Sequence, residues 1–154
     1  MTPESTFSMI LYSARPAAIA RLKGSPHAPQ LNGHVKFYTT PFNGVLIQSQ
    51  IFGLPGKNNY YAMHIHEKGD CTPPFNDTGM HYNPTNEPHP FHAGDLTPIL
   101  SNHGYAYSVM FTTRFDIDDT IGRSVIIHIN PDDFTTQPSG NSGDKIGCGV
   151  ILKM

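Results

Sequence analysis

The sequence has no tryptophan, only two cysteines and few charged residues. Charged side chains make up 14% of its 154 residues, with 10 basic and 12 acidic ones giving a net charge of −2. An average globular chain has about 25% charged residues. This balance excludes a basic nucleic-acid-binding protein and an acidic tail. No run of about 18 apolar residues is present, so we expect no membrane-spanning helix. The length predicts a single domain.

The two cysteines, Cys71 and Cys148, are too few and too far apart for a disulfide-dense miniature fold or a CxxC motif. One bridge, two free thiols and two metal ligands all remain open. The N-terminal residues lack the basic segment and the apolar core of a signal peptide. We therefore expect a cytoplasmic protein, or an exported one if a signal has been removed.

Turn residues are abundant, with 14 glycines and 14 prolines, which predicts many turns and little helix. Alternating or β-branched segments predict strands at 17–22, 34–38, 45–52, 60–66, 105–115, 124–130 and 148–153. Two irregular segments interrupt them, at 67–94 and 131–147, and loops this long inside a compact domain are typically functional. The sequence therefore predicts an all-β antiparallel sandwich or barrel with two long functional loops.

Nine histidines are the first functional signal, because histidine is the commonest metal ligand in proteins. His64 and His66 alternate on one strand and share a face, so they can chelate a metal ion or lie at the surface. His128 faces outward on its own strand, where Ile129 is expected in the core. Alone, His128 is typical of an exposed strand residue, unless its strand neighbours that of His64. Three further histidines are predicted to be solvated: His27, His34 and His103.

A second group of histidines lies in or beside the first irregular segment. It combines three imidazoles with one carboxylate, which completes a tetrahedral structural zinc site and would order a long polar loop. The alternative is a solvated loop that happens to contain histidines. The residues of this group are His81, His89, His92 and Asp95.

Five motifs in this order resemble the copper,zinc superoxide dismutase family. They are HIHEKGDC at 64–71, GMHYNP at 79–84, HAGDL at 92–96, IGRSVIIH at 121–128 and GNSGDKIGCGVI at 140–151. The resemblance runs from about residue 17 to the C-terminus, and the short interval between His66 and Cys71 resembles the bacterial branch. It separates a domain at 17–154 from an N-terminal extension at 1–16, which is an arm, a partner contact or disorder.

The resemblance implies an eight-stranded Greek-key β-barrel and a pair of metal ions. It implies a disulfide between Cys71 and Cys148, and an Asp132 that links the free nitrogens of His64 and His89. The implied copper ligands are His64, His66, His81 and His128. The implied zinc ligands are His81, His89, His92 and Asp95, so that His81 bridges the two metals as an imidazolate.

The implied activity is dismutation of the superoxide anion to dioxygen and hydrogen peroxide. His81 and His128 would take part in catalysis, with His81 delivering a proton. Lys145 stands where the family usually carries arginine, so it attracts an anion as a point charge without a bidentate fork. We expect activity that is reduced but not lost.

Two other functions remain as alternatives to dismutation. The first is a non-catalytic zinc-binding relative on the same barrel. The second is copper buffering or delivery, which favours exposed methionine or cysteine ligands, whereas the six methionines here are scattered. The resemblance leaves the oligomeric state open between a monomer and a homodimer.

Overall fold

The computed structural model describes residues 1–154 and contains nine strands and two helices. The helices are α1 (Pro3–Ser13) and α2 (Ile117–Thr120), and a single 3₁₀ turn covers Asn76–Thr78. The strands are β1 (Ala18–Gly24), β2 (Asn32–Thr39), β3 (Val45–Phe52), β4 (Tyr60–Tyr61), β5 (Met63–His66), β6 (Ile99–Leu100), β7 (Ala106–Thr112), β8 (Ser124–His128) and β9 (Lys145–Lys153).

Seven strands form one curled antiparallel sheet in the order β5-β8-β9-β1-β2-β3-β7, and β4 pairs with β6 in a separate ribbon. Alternate side chains of each strand point to the concave face, such as Val35 and Phe37 on β2 and Ile47 and Ile51 on β3. They belong to one core of 25 buried residues. Burying a large apolar side chain contributes about 1.5–3 kcal/mol. The all-β Greek-key fold implied by the resemblance is confirmed.

The strand boundaries differ from the predicted ones at several places. The predicted strand 60–66 is divided at Ala62, because its first two residues pair with β6 and its last four pair with β8. The last strand begins at Lys145, three residues earlier than predicted, and β6 was not predicted. The structure therefore has nine strands where the resemblance implied eight.

The N-terminal helix α1 was also missed by the sequence patterns. Thr2 caps it, since its Oγ1 accepts a hydrogen bond from the Ser5 backbone N–H at 3.3 Å, and Pro3 begins the first turn. Phe7 attaches the helix to the sheet by stacking on Phe111 with ring centroids 5.2 Å apart. Only Thr6 of α1 is buried, and the apolar stripe of the helix is short, consisting of the half-buried Phe7, Ile10 and Leu11. Neither helix is long and apolar enough to span a bilayer.

The expected disulfide between Cys71 and Cys148 is confirmed, with the two Cα atoms 5.6 Å apart. It ties the long loop 67–98 to β9, where Cys148 is buried with Phe75 and Ile126 in a small apolar cluster and the half-buried Cys71 packs against it. This bridge selects one of the three possibilities that the cysteine spacing left open. The second loop, 129–144, connects β8 to β9.

Candidate metal centre

Adjacent strands bring three of the predicted histidines together. His64 and His66 lie on β5, which pairs with β8 so that His66 faces Ser124 and Met63 faces Ile127. His128 ends β8, and all three imidazoles are buried, with exposures of 0%, 2% and 3% in the order His64, His66, His128. The strand of His128 therefore neighbours the strand of His64, which makes His128 a candidate ligand.

The side chain of Ile129 does not enter the core, and this prediction was wrong. Its exposure is 38%. The pairing of β8 with β9 shifts register between Ile127 and His128, so the alternation that holds through Ile127 does not continue. Of the three histidines predicted to be solvated, His27 and His103 are exposed, whereas His34 is half-buried within β2.

The long loop folds back along β5 and delivers two more site residues. The backbone of His81 pairs with that of His66 in an isolated antiparallel β-bridge. The backbone of Asp95 pairs with that of His64 in the same way. The Ile65 N–H donates to the Gly94 carbonyl at 2.8 Å. A side chain at Gly94 would collide with the Ile65 carbonyl, so this approach requires glycine.

The predicted ligands form two buried groups that share one residue. Within each group, the candidate ligand atoms all lie within 4.8 Å of one another. Both groups contain His81. The first group is His64, His66, His81 and His128, and the second is His81, His89, His92 and Asp95.

Hydrogen bonds to backbone carbonyls fix the tautomers of His66 and His128. His66 Nδ1–H donates to the Gly79 carbonyl at 2.8 Å, and His128 Nδ1–H donates to the Gly143 carbonyl at 3.1 Å. A neutral imidazole that carries its proton on Nδ1 has a lone pair on Nε2. These two Nε2 atoms face each other at 3.2 Å. Two facing lone pairs repel, and a bound cation converts that repulsion into coordination.

The Asp132 carboxylate contacts two further rings of the predicted ligand sets. His64 Nε2–H and His89 Nε2–H donate to its two carboxylate oxygens, each at 2.8 Å. Burial raises the pKa of Asp132, but these hydrogen bonds outweigh burial and hold it well below the usual range. The Nδ1 atoms of both rings therefore point into the two groups with lone pairs. Such carboxylate–histidine contacts are typical of metal centres.

Three buried nitrogen atoms have no hydrogen-bond partner: His64 Nδ1, His81 Nε2 and His89 Nδ1. An unpartnered buried polar atom costs about 1–3 kcal/mol. All three atoms belong to histidines of the two groups, whose candidate ligand atoms lie, within each group, within 4.8 Å of one another. His81 Nδ1 lies 2.8 Å from Asp95 Oδ1, on the opposite side of its ring from Nε2. The shared ring thus offers one nitrogen to each group.

The second group surrounds the Asp95 carboxylate. Asp95 Oδ2 lies 3.1 Å from both His89 Nδ1 and His92 Nδ1. The His92 and His81 Nδ1 atoms are 3.3 Å apart. Burial raises the pKa of Asp95, but the hydrogen bond to His81 and the charges of the surrounding histidines outweigh burial. The net pKa of Asp95 is therefore below its usual value, and the carboxylate is ionised.

Burial keeps three imidazoles of the first group, those of His64, His66 and His128, neutral at pH 7. It lowers the pKa of His64 to about 4 and that of His128 to about 3, and it lowers the pKa of His66 further. Burial also lowers the pKa of His92 in the second group. Neutral imidazole is the form that binds metals. The first group offers four imidazole nitrogens, a donor set that fits copper, so we name it the copper group. The second group offers three imidazole nitrogens and a carboxylate, a donor set that fits zinc, so we name it the zinc group.

Lys145, at the start of β9, places a positive charge beside the first group. Its Nζ donates to the Thr78 hydroxyl at 2.9 Å and to the carbonyls of Gly79 at 3.2 Å and Phe75 at 3.3 Å. The same Gly79 carbonyl accepts the proton of His66. Burial lowers the pKa of Lys145, and its charge contributes to the low pKa values of His66 and His128.

Two side chains that hold the loop were not predicted. Arg114 Nη1–H groups donate to the backbone carbonyls of His92 at 3.2 Å and Asp95 at 3.3 Å. Gln137 bonds to the backbone of His89. Neither residue lies in a recognisable motif, because each acts on main-chain atoms that are remote in sequence.

The sequence is similar to known proteins of one family. The sequence model of the family described as copper/zinc superoxide dismutase (SODC) matches residues 31–151. The Cu-Zn superoxide dismutase 2 of Aquifex aeolicus (strain VF5) is 35% identical over 125 residues, which cover 71% of this chain and 72% of the relative. The superoxide dismutase-like protein YojM of Bacillus subtilis (strain 168) is 37% identical over 107 residues, covering 59% of this chain and 55% of the relative.

A solved structure shares the fold over most of both chains. The crystal structure of the clock protein EA4 superposes with a TM-score of 0.79 and 30% sequence identity, covering 90% of this chain and 96% of that one. The family match, the two histidine groups and the disulfide point to one conclusion. The chain belongs to the copper/zinc superoxide dismutase family.

Proposed function

We propose that the protein dismutates superoxide, converting two superoxide anions and two protons into one dioxygen and one hydrogen peroxide. The observation that carries this proposal is the position of His81. Its Nδ1 faces Asp95 in the zinc group, and its unpartnered Nε2 points into the copper group. A single shared ring of this kind links a redox site to a structural site.

Seven residues would hold the two metals, and one of them, His81, would also carry a proton. His64, His66 and His128 complete the copper set with His81, while His89, His92 and Asp95 complete the zinc set. When bound, copper supplies a one-electron redox change, whereas zinc has no redox chemistry. His81 Nε2 is the site where a proton is held next to the reacting anion, because Nδ1 remains committed to the zinc side.

Lys145 attracts the superoxide anion toward the copper group. Its charge is close enough to lower the pKa values of His66 and His128. All three ammonium protons already have acceptors in the loop. Lys145 therefore acts through its charge and has no free donor for the anion, unlike an arginine with five N–H groups.

A non-catalytic zinc-binding role is the second candidate function. It is favoured by the similarity to a superoxide dismutase-like protein and by the lysine at position 145. The complete set of four histidines in the copper group favours the enzyme. The two candidates differ in what happens after copper is added.

The experiment that tests the proposal compares wild type with His128→Ala after loading with copper and zinc. We expect rapid dismutation by the wild type and only background dismutation by the variant. Zinc content should be unchanged, because His128 contributes to the copper group alone. His103→Ala, an exposed turn residue, is the matched control and should retain full activity. Retention of activity by His128→Ala would contradict the proposed copper site.

A further inference from the structure

Gln137 binds both backbone groups of the zinc-group residue His89. The His89 N–H donates to Gln137 Oε1 at 2.9 Å, and Gln137 Nε2 donates to the His89 carbonyl at 2.7 Å. These are the only hydrogen bonds of the His89 main chain. The side-chain amide thus pairs with His89 as a neighbouring strand would.

The loop that carries Gln137 also holds the ring of His89. Asp132, five positions earlier in loop 129–144, accepts the His89 Nε2–H at 2.8 Å. Gly140 of the same loop packs on this contact so closely that a side chain there would collide with Asp132 and His89. His89 is therefore fixed at its backbone and at the far side of its ring, and these two fixed points determine where Nδ1 lies.

Only an amide of this length makes both bonds. A glutamate retains the acceptor oxygen but places a second acceptor against the His89 carbonyl, and a lysine has no acceptor. The main chain of His89 belongs to no helix or strand. Its groups would otherwise depend on water for partners.

We propose that Gln137 is a positioning residue of the zinc site, holding the His89 backbone so that Nδ1 meets the metal without rearrangement of the loop. This inference rests on the zinc assignment of the proposed function. It gives loop 129–144 a role on both sides of the centre. The same loop supplies the Gly143 carbonyl that fixes the tautomer of His128.

The test measures zinc binding rather than dismutation. Metal-free wild type, Gln137→Ala and Gln137→Glu are titrated with zinc alone in competition with a chelator, and separately with copper alone. Visible spectra with cobalt alone report the ligand geometry of the zinc group. Gln50→Ala is the matched control, because the only hydrogen bond of its side-chain amide is the one to the Tyr105 hydroxyl, at 3.2 Å.

We expect both Gln137 variants to bind zinc about 10–100-fold more weakly, the range for groups that orient metal ligands. Their cobalt spectra should change, and copper affinity should stay within about threefold of wild type, because Gln137 contacts no histidine of the copper set. Gln137→Glu preserves the size of the side chain, so it reports on the lost donor if Gln137→Ala folds poorly. Gln50→Ala should match wild type throughout.

Three results would overturn the inference. Zinc affinity within twofold of wild type in both variants, with unchanged cobalt spectra, would show that the contact positions nothing. Equal losses of zinc and copper affinity would indicate general destabilisation. Failure of the wild type to bind zinc would refute the zinc assignment as well. A wild type that binds zinc but does not dismutate superoxide would refute only the proposed activity.

Discussion

Asp132 connects the two metal groups through hydrogen bonds, and its replacement by alanine should weaken them unequally. Its carboxylate accepts the Nε2 protons of His64 and His89, each at 2.8 Å. His64 lies within β5, where it pairs with Ile126 and is fully buried. His89 lies in a loop and keeps only the Gln137 contacts to its backbone. The loss of Asp132 therefore frees the ring of His89 more than that of His64.

The magnitude follows from two hydrogen bonds to a charged acceptor. Each contributes about 1.5–3 kcal/mol. Loss of a partner that orients a metal-binding histidine lowers metal affinity about 10–100-fold. We assign the upper end to zinc, whose proposed ligand His89 lies in the loop, and the lower end to copper, whose proposed ligand His64 lies on the strand. The expected losses are about 100-fold for zinc and about 10-fold for copper.

The assay is chelator competition on metal-free Asp132→Ala, with one metal at a time. Asp133→Ala is the control, because Asp133 is exposed and accepts bonds only within its own loop, from Thr135 and Thr136. It should leave both affinities close to wild type. A larger loss of affinity for copper than for zinc would refute the expectation that His89 in the loop depends more on Asp132 than His64 on the strand. Unchanged affinities would refute the orienting role of Asp132.

Three further predictions concern charge and metal retention. Lys145→Arg should raise kcat/KM for superoxide about two- to tenfold at low ionic strength, since one added hydrogen bond contributes about 0.5–1.5 kcal/mol; an unchanged rate would show that this position does not guide the anion. The metal-free protein should lose stability, measured by urea unfolding, as pH falls from about 6.5 through about 4. Burial lowers the folded-state pKa values of His64 and His128, so the unfolded chain binds protons first as pH falls. Each of the two histidines then lowers the free energy of unfolding by on the order of 1 kcal/mol per pH unit. A free energy of unfolding that does not change with pH over this range would contradict the prediction. Asp95→Ala should lose zinc on dialysis and retain copper, and unchanged zinc content would refute the zinc group.

The patterns of β-branched and alternating residues located every long strand of the sheet. They failed where tertiary pairing decides the outcome. Ala62 separates two strands only because β6 and β8 compete for neighbouring residues. Ile129 turns outward because the register shifts before His128. Helix α1 has a capping threonine and an N-terminal proline, but Phe7 is the contact that attaches it to the sheet.

The candidate site was accessible from sequence to the extent that its residues are polar types at characteristic spacing. His64 and His66 alternate on a strand, and His89, His92 and Asp95 cluster in one loop. His128 needed the pairing of β5 with β8, which spacing alone does not reveal. Arg114 and Gln137 act on backbone carbonyls and amides 19 to 48 positions away. Such contacts depend on the folded path of the loops and leave no signal in the sequence.

Whether the two groups form a working copper and zinc centre is decided by metal content after reconstitution, followed by dismutation on the same sample. We expect one copper and one zinc per chain, with rapid dismutation that disappears when copper is omitted. Zinc alone, with no dismutation under excess copper, would contradict it. That result would mean that the four-histidine group does not hold copper and that the protein is a non-catalytic member of its family.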